Sequence, residues 1–435
     1  MARILFTCFG SLGDLFPYLA VAKVLQARGH DVAVGTSSLW APYVEAESLR
    51  FVHLRCALDR YVTPELARQL LERLFHPARG GQTIVDEMML GIGETYLDTR
   101  AALADADVVV SNPLAYATPI SCRESGVPWL STVLAPMFFM STEDPPPMEP
   151  LRWLPKLHRI SPALYRGVFA LIKRSSLGWA KPLYQMCRQH GLATPEQHPL
   201  FDGQYSPHGT LAMFPAGFAA PQADWPPHTS VTGFPYFTPD AGEDAITGPL
   251  ETFLDAGAPP IVFALGSSAV NIAGDFFAVS AKIARLLGQR AVLVHGPHAD
   301  QIKDIPPGDD ILAIPYVSYG KLFDRASVVV HQGGIGTLAQ AMRALRPMLV
   351  VPFGFDQFDN GQRIERLGLG RTLLRTHYSV EKALPVIRDL LTRPEYRQRA
   401  ETIGREMARE DGTARAADMV EELTARSRLA KLDAN

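Results

Sequence analysis

The chain has 435 residues, 47% hydrophobic and 20% charged, a globular composition with length for two domains that each bury a core. A formal net charge of −3 gives no overall pull toward nucleic acid. Cys8, Cys56, Cys122 and Cys187 show no CxxC spacing, which argues against a zinc site or a disulfide framework and fits a reducing cytoplasm.

Met1 runs directly into an apolar strand without a secretory leader pattern, and no apolar run reaches the roughly 18 residues of a membrane span. The strand, residues 4–9, enters Gly10-Ser11-Leu12-Gly13-Asp14-Leu15-Phe16-Pro17. A helix pattern follows, with Tyr18, Val21, Ala22 and Leu25 on one face and Gly29 as its stop. Residues 31–36 form a second strand, completing a βαβ start. Gly10 and Gly13 give G-x-x-G, not G-x-G-x-x-G, and Thr36 and Ser37 stand where a ribose-binding acid is needed, so a nicotinamide dinucleotide is disfavoured. Asp14, at the mouth of the first strand, has two open roles: base toward a bound hydroxyl, or helix cap. Asp105-Ala106-Asp107 has the look of a metal-binding DxD. It precedes its strand, 107–111, and so falls at the amino end, where it reads as a solvated turn. Asn112 follows that strand.

Residues 134–182 differ in character. Ala135-Pro136-Met137-Phe138-Phe139-Met140 and a proline-rich 144–150 lead into 151–181, which carries Trp153, Leu154, Leu164, Tyr165, Phe169 and Leu171. Its charges are all basic: Arg152, Lys156, Arg159, Arg166, Lys173, Arg174 and Lys181. Two readings stay open. One is an apolar acceptor pocket with a basic rim that draws an anionic lipid or a membrane surface. The other is an amphipathic helix pair packed on the domain, its positive face in water. Short strands at 209–214 and 230–234 precede a polar linker, 236–248. The expected division is 1–235, then 249–412, then a helix over 413–435.

In the second half, a strand at 260–265 enters Gly266-Ser267-Ser268. Strands at 291–295 and 311–314 follow, the latter leading to Pro315-Tyr316-Val317. Residues 327–330 are a short buried strand ending in His331, then Gly333, Gly334, Gly336 and Thr337. A helix begins at once, with Leu338, Ala341, Met342 and Leu345 at i, i+3, i+4, i+7. Strand, glycine turn and helix start make an anion site: unpaired N–H groups, the positive dipole end, and glycines that admit a phosphate. His331 and Thr337 can each add a hydrogen bond. A strand at 348–351 leads to Pro352 and a loop with Asp356, Gln357 and Asn360, at the carboxyl end of a parallel strand where ligands bind. Beyond Thr372 the pattern is helical.

His331-x-Gly333-Gly334-x-Gly336-Thr337, with Pro352 and Asp356-Gln357 about twenty residues on, resembles the donor signature of family 1 inverting glycosyltransferases. The resemblance implies a doubly wound α/β architecture, GT-B: two facing Rossmann-like domains, the site in the interdomain cleft, the last helix crossing back to the first domain. It implies that His331 contacts a donor phosphate, that Gly333–Thr337 cradles the diphosphate with Ser267 and Ser268, and that Asp356 and Gln357 bind sugar hydroxyls. Tyr316 and Val317 would hold the nucleobase, Tyr316 standing where many members have Trp. Gly13-Asp14-Leu15-Phe16-Pro17 matches the segment that carries the catalytic base. Several members place a second acid after the fourth strand to orient a His base; the nearest position here is Asn112, so what orients Asp14 is open. Acceptor contacts are expected from Ser11, Leu12, Phe16, Asn112, Met137, Phe138 and Phe139. No metal and no cofactor are expected; the partner is a nucleotide sugar, TDP-rhamnose or a UDP-hexose.

Residues 214–237, with Asp224-Trp225-Pro226 and Thr232-Gly233-Phe234-Pro235, are in addition similar to the rhamnosyltransferases of mono-rhamnolipid synthesis. That implies a hydroxy fatty acid derivative as acceptor; a polyketide, phenolic or sterol aglycone is the alternative. The expected location is cytoplasmic, with contact at the inner membrane surface as an extension. A nucleotide-sugar epimerase of the same fold would need no acceptor pocket and leaves 134–182 unexplained. A silent binding module is disfavoured because Asp14, His331 and Asp356 are all present.

Overall fold

The computed structural model describes residues 1–237 and 246–433, so most of the expected linker (238–245) lies outside the described residues. It divides into two compact units, one from residues 1–216, 220–237 and 411 onward, the other from 217–219 and 238–410.

The first unit holds strands β1 (Arg3–Thr7), β2 (Asp31–Thr36), β3 (Arg50–His53), β4 (Val108–Ser111), β5 (Trp129–Val133), β6 (Thr210–Ala212) and β7 (Thr229–Val231). They form one sheet in the order β3-β2-β1-β4-β5-β6-β7, parallel throughout. β1 and β4 are near-continuous apolar runs because helices cover both faces of such a sheet. The strand order reverses between β1 and β4, so the crevice of this unit opens at their carboxyl ends.

The second unit repeats the plan with β8 (Ile261–Ala264), β9 (Ala291–Val294), β10 (Ile311–Ile314), β11 (Val328–His331), β12 (Met348–Val350) and β13 (Gly370–Thr372), ordered β10-β9-β8-β11-β12-β13. These strands too are all parallel. Its order reverses between β8 and β11, whose register places His331 opposite Ala264.

The last helix, Gly412–Asp433, packs on the first unit as expected, with Ala416, Ala417 and Val420 fully buried. Gly412 is required at its entry, where a Cβ would come within 2.6 Å of the Gly233 carbonyl oxygen. Arg28 pairs with Asp418 at 2.8 Å and Glu421 at 2.6 Å, and His30 meets Glu421 at 2.8 Å. At the amino edge of the sheet Asp107 accepts the Arg3 N–H at 2.9 Å and Asp105 pairs with the Arg3 guanidinium at 3.2 Å, so the DxD turn is tied up in structure.

Residues 134–182 include the α-helices Pro155–Ile160 and Pro162–Ser175. Their inner side packs Leu154, Tyr165 and Phe169 into a cluster with Met140, Leu157 and Phe201. This is the packed-pair arrangement, and the outer side is apolar as well as basic. Among the described residues no helix is long and apolar enough to cross a membrane.

Candidate functional site

In the first unit the turn after β1 is built by Gly10, whose φ of +125° few L-residues adopt. A Cβ there would lie 2.4 Å from Asp14 Oδ2, so glycine is what lets the carboxylate fold back over the turn. Asp14 Oδ2 accepts the Ser11 N–H at 2.7 Å and the Ser11 Oγ–H at 2.9 Å. Asp14 is therefore the third residue of the helix, reaching back to Ser11 at the N-cap, and Ser11 is the group that orients it. Burial raises the Asp14 pKa, the bonds from Ser11 pull it down, and the net value stays above the ordinary carboxylate range. A base moved upward toward the working pH accepts a proton more effectively.

Three of the expected acceptor contacts are buried in the structure. Asn112 is buried, its Nδ2 donating to the Phe9 carbonyl at 3.1 Å and its Oδ1 accepting the Leu114 N–H at 2.7 Å. Both ends hold the loops of the β1–β4 crevice. Met137 and Phe139 are buried, Phe139 stacking on Trp225 at 4.2 Å and meeting Tyr205 and Phe214. They are core. Phe138 is half-buried, and its carbonyl accepts the Tyr205 hydroxyl at 2.7 Å.

The aromatic surface beside Asp14 comes instead from Phe16, Trp40, Tyr43 and Phe237. Phe16 stacks on Phe237 at 4.9 Å and meets the edge of Tyr43 at 6.2 Å. Trp40 contacts Tyr43 at 5.9 Å and donates its Nε1–H to the Gly10 carbonyl at 3.1 Å. Tyr43 remains 43% exposed, and Leu12 is half-buried. Sequence reading found Phe16 but missed Trp40 and Tyr43, because nothing in their spacing says that the loop after β2 folds back onto Gly10. That loop is stapled by Asp59, which accepts from Ser37 Oγ at 2.6 Å, Ser38 N–H at 2.8 Å and Cys56 N–H at 3.0 Å. Burial alone would raise the Asp59 pKa; these bonds outweigh it and bring it to about 2.

In the second unit the loops expected to hold the diphosphate both leave the reversal point, one after β8 and one after β11. They close on one side chain that the sequence did not single out. A Cβ at Gly266 would lie 2.3 Å from Gln332 Nε2, and one at Gly334 would lie 2.7 Å from it. Gln332 is 5% exposed, donates weakly to Thr337 Oγ1 at 3.3 Å, and has a buried Oε1 with no partner. An unpaired buried polar atom is costly, and the Nε2 end of the same amide is what faces the two glycine loops, beside the start of helix Ile335–Arg343. The first helical bond there is Leu338 N–H to the Gly334 carbonyl, which leaves the N–H groups of Ile335, Gly336 and Thr337 at the helix end without intrahelical partners. Ser267 is exposed and Ser268 half-buried, their carbonyls held by Asn271 Nδ2 at 2.7 and 3.3 Å.

His331 ends β11 and sits beneath the glycine turn. It is fully buried, its Nδ1 accepting the Gly333 N–H at 3.0 Å and its Nε2 lying 3.4 Å from Met348 Sδ. Burial lowers its pKa to about 3, so the ring is neutral. It holds the glycine turn from beneath and has no exposed atom for a direct phosphate contact. Gly333 fits only as glycine, with φ +91° and a would-be Cβ 2.5 Å from Val350.

The next loop is bound to this turn by Asn360, fully buried, whose Nδ2 donates to the Gly333 carbonyl at 2.9 Å and to Asp356 Oδ2 at 2.7 Å. Gln357 turns its Oε1 onto the N–H groups of Phe353 at 2.8 Å and Gly354 at 3.3 Å; its NH2 is the end that can serve a ligand. Phe355 sits between them at φ +53°, a conformation that a bulky residue keeps only where its surroundings impose it. Tyr316 is 64% exposed at the carboxyl end of β10, and Val317 is half-buried. Among the described residues no group of three or more His, Cys, Asp or Glu side chains is placed to hold a metal ion.

Residues 4–134 match the glycosyltransferase family 28 N-terminal domain, and residues 279–423 match the erythromycin biosynthesis protein CIII-like C-terminal domain. An O-mycaminosyltylonolide 6-deoxyallosyltransferase of Streptomyces fradiae is 28% identical, over 97% of this chain and 97% of its own length. A sterol 3-beta-glucosyltransferase of Arabidopsis thaliana is 24% identical, over 96% of this chain and 67% of its own. Among solved structures, the glycotransferase of kitacinnamycin matches with a TM-score of 0.72 at 20% identity, over 97% of this chain and 98% of that one. The glycosyltransferase VinC, solved in complex with DTDP, matches with a TM-score of 0.68 at 18% identity, over 98% of this chain and 100% of that one.

Proposed function

Since the chain is a glycosyltransferase of the GT-B type, with a family 28 N-terminal domain and an EryCIII-like C-terminal domain, we propose that it transfers a 6-deoxyhexose from a thymidine-diphosphate donor to a hydroxyl of an apolar aglycone. The observation that carries the donor half is the convergence of both glycine loops and a helix start on the side-chain Nε2 of Gln332. That Nε2 donates one N–H to Thr337 Oγ1 and has a second to offer a phosphate oxygen. The diphosphate is then held by Gln332, Thr337, Ser267, Ser268 and the N–H groups of Ile335 and Gly336, with the base on Tyr316 and the sugar hydroxyls at Asp356 and Gln357. Asp14 removes the proton of the acceptor hydroxyl. The freed oxygen bonds to the anomeric carbon as the bond from that carbon to the diphosphate breaks, and configuration inverts. Preorganised donors of this kind stabilise the leaving charge by about 2.7–4 kcal/mol each, so we assign no metal to the reaction.

A polyketide or sterol alcohol is the acceptor class best supported, by the relatives' names and by the aromatic group at Phe16, Trp40 and Tyr43. The hydroxy fatty acid reading rests on the resemblance at residues 214–237 and on the apolar, basic character of 134–182; Phe139, Tyr165 and Phe169 of that segment are packed into core, which weakens the second ground, and the assay includes this acceptor. The purified chain is offered TDP-rhamnose, other TDP-6-deoxyhexoses and UDP-glucose, against macrolactone, sterol, phenolic and hydroxyalkanoate acceptors, in excess EDTA. Turnover with a TDP donor and a polycyclic or macrocyclic alcohol is expected. Preference for UDP-glucose with every acceptor sinks the donor assignment, and turnover of hydroxyalkanoates alone sinks the acceptor class. Conversion of the donor sugar with no acceptor present identifies an epimerase. Loss of nearly all activity in EDTA, restored by magnesium, sinks the metal-independent route.

A further inference from the structure

The helix pair of residues 155–175 buries one apolar side and shows another. Tyr165 and Phe169 are buried beneath it, while Ile160 is 78%, Leu171 69% and Leu164 51% exposed. Leu164, Gly167, Leu171 and Arg174 recur at i, i+3, i+7 and i+10, one stripe of helix Pro162–Ser175. Trp153, just before the pair, is also half-exposed. Single exposed leucines need no explanation, but five of the fourteen large exposed hydrophobics among the described residues fall between 153 and 177, and such clustering marks an interaction site.

Charge says what the partner is. Residues 151–181 carry seven basic side chains and no acid, in a chain whose formal net charge is −3. Acids from outside the segment neutralise only part of this: Glu149 pairs with Arg152, Glu143 with Arg166, and Asp202 with Lys173. Among the described residues Lys156, Arg159, Arg174 and Lys181 make no ion pair. An apolar stripe flanked by unmatched basic groups fits a surface that is apolar below and anionic above. We propose that this face docks the protein on an anionic lipid bilayer, with Ile160, Leu164 and Leu171 entering the headgroup boundary and Lys156, Arg159 and Arg174 among the lipid phosphates. A nucleic acid would use the charges and leave the aliphatic groups wet. A second copy meeting the same patch across a two-fold axis would set basic groups against basic groups. The inference stands independently of which donor and acceptor the enzyme uses.

The full chain is sedimented with vesicles of phosphatidylcholine, with and without phosphatidylglycerol, at low and high salt. Binding only to the anionic vesicles, released by salt, is expected. Leu164→Glu with Leu171→Glu, and separately Arg159→Glu with Arg174→Glu, should each lower the partition coefficient by about tenfold or more. Melting temperatures should hold, because these side chains are exposed. Failure of the wild-type chain to bind anionic vesicles at low salt overturns the proposal, as does binding undiminished in both variants. If the leucine variants leave vesicle binding intact but convert a dimer to a monomer in size-exclusion chromatography, the face belongs to a second copy and the bilayer assignment is wrong.

Discussion

Asp14 is held by Ser11 through one backbone N–H and one hydroxyl, and that makes its role separable from a cap. Its folded pKa is raised, so its stabilising contribution is complete below the ordinary aspartate value of about 3.9 and is lost as pH rises through the folded value. Asp14→Asn should therefore hold or raise the melting temperature at neutral pH while slowing transfer by about 10²–10⁴; an Asn variant that keeps its rate ends the catalytic assignment. Ser11→Ala removes a bond that lowers the pKa, so the acid limb of kcat/KM should move to higher pH. A limb that stays put while stability falls would show Ser11 to be only a cap. His331 and Gln332 make a second contrast. His331→Ala empties a buried site and frees Gly333, so melting temperature and donor affinity should fall together. Gln332→Ala should weaken donor binding with little loss of stability, since its oxygen has no partner in the free protein; bound-donor thermal shifts distinguish the two.

Turns and loops decide whether those residues can act. Gly10→Ala would place a methyl group against the Asp14 carboxylate at a φ that alanine resists. Transfer should drop nearly as far as in Asp14→Asn, now with a lower melting temperature; full activity in Gly10→Ala would mean that the folded-back carboxylate is not the reactive one. Asn360 was legible only as a polar residue of the loop after β12. Its work, joining Gly333 to Asp356, depends on a helix turn and a parallel strand bringing positions 27 residues apart into contact.

The returning helix gives the whole chain a pH-dependent element. The bond from His30 holds the Glu421 carboxylate below its ordinary range, burial opposes this, and Arg28 adds to it. A depressed carboxylate stabilises above the ordinary glutamate range and loses that contribution as pH falls through its folded value. Hydrogen exchange along 412–429 should therefore speed up below about pH 4, beyond the slowing that acid itself imposes on exchange, and Glu421→Gln should remove that pH dependence. Equal protection of this helix at pH 3 and pH 7, once intrinsic rates are corrected, would refute the account.

Alternating apolar strands and helix patterns are local, and they determined two doubly wound sheets; glycine turns at strand ends are local too, and they picked out Asp14, Gly333 and Asp356 before any fold was known. Strand order is not local. Only the tertiary structure placed β1 beside β4 and β8 beside β11, and so gathered loops distant in sequence at the two points where the strand order reverses. Burial is likewise a property of the assembled fold. It buried His331, Asn112, Met137 and Phe139, although as residue types each suits a binding site. It also closed two glycine loops around Gln332, a residue with no pattern to mark it. Which face of an amphipathic helix turns outward depends on what packs against the other, and for residues 155–175 the inner face found a core while Ile160, Leu164 and Leu171 were left at the surface.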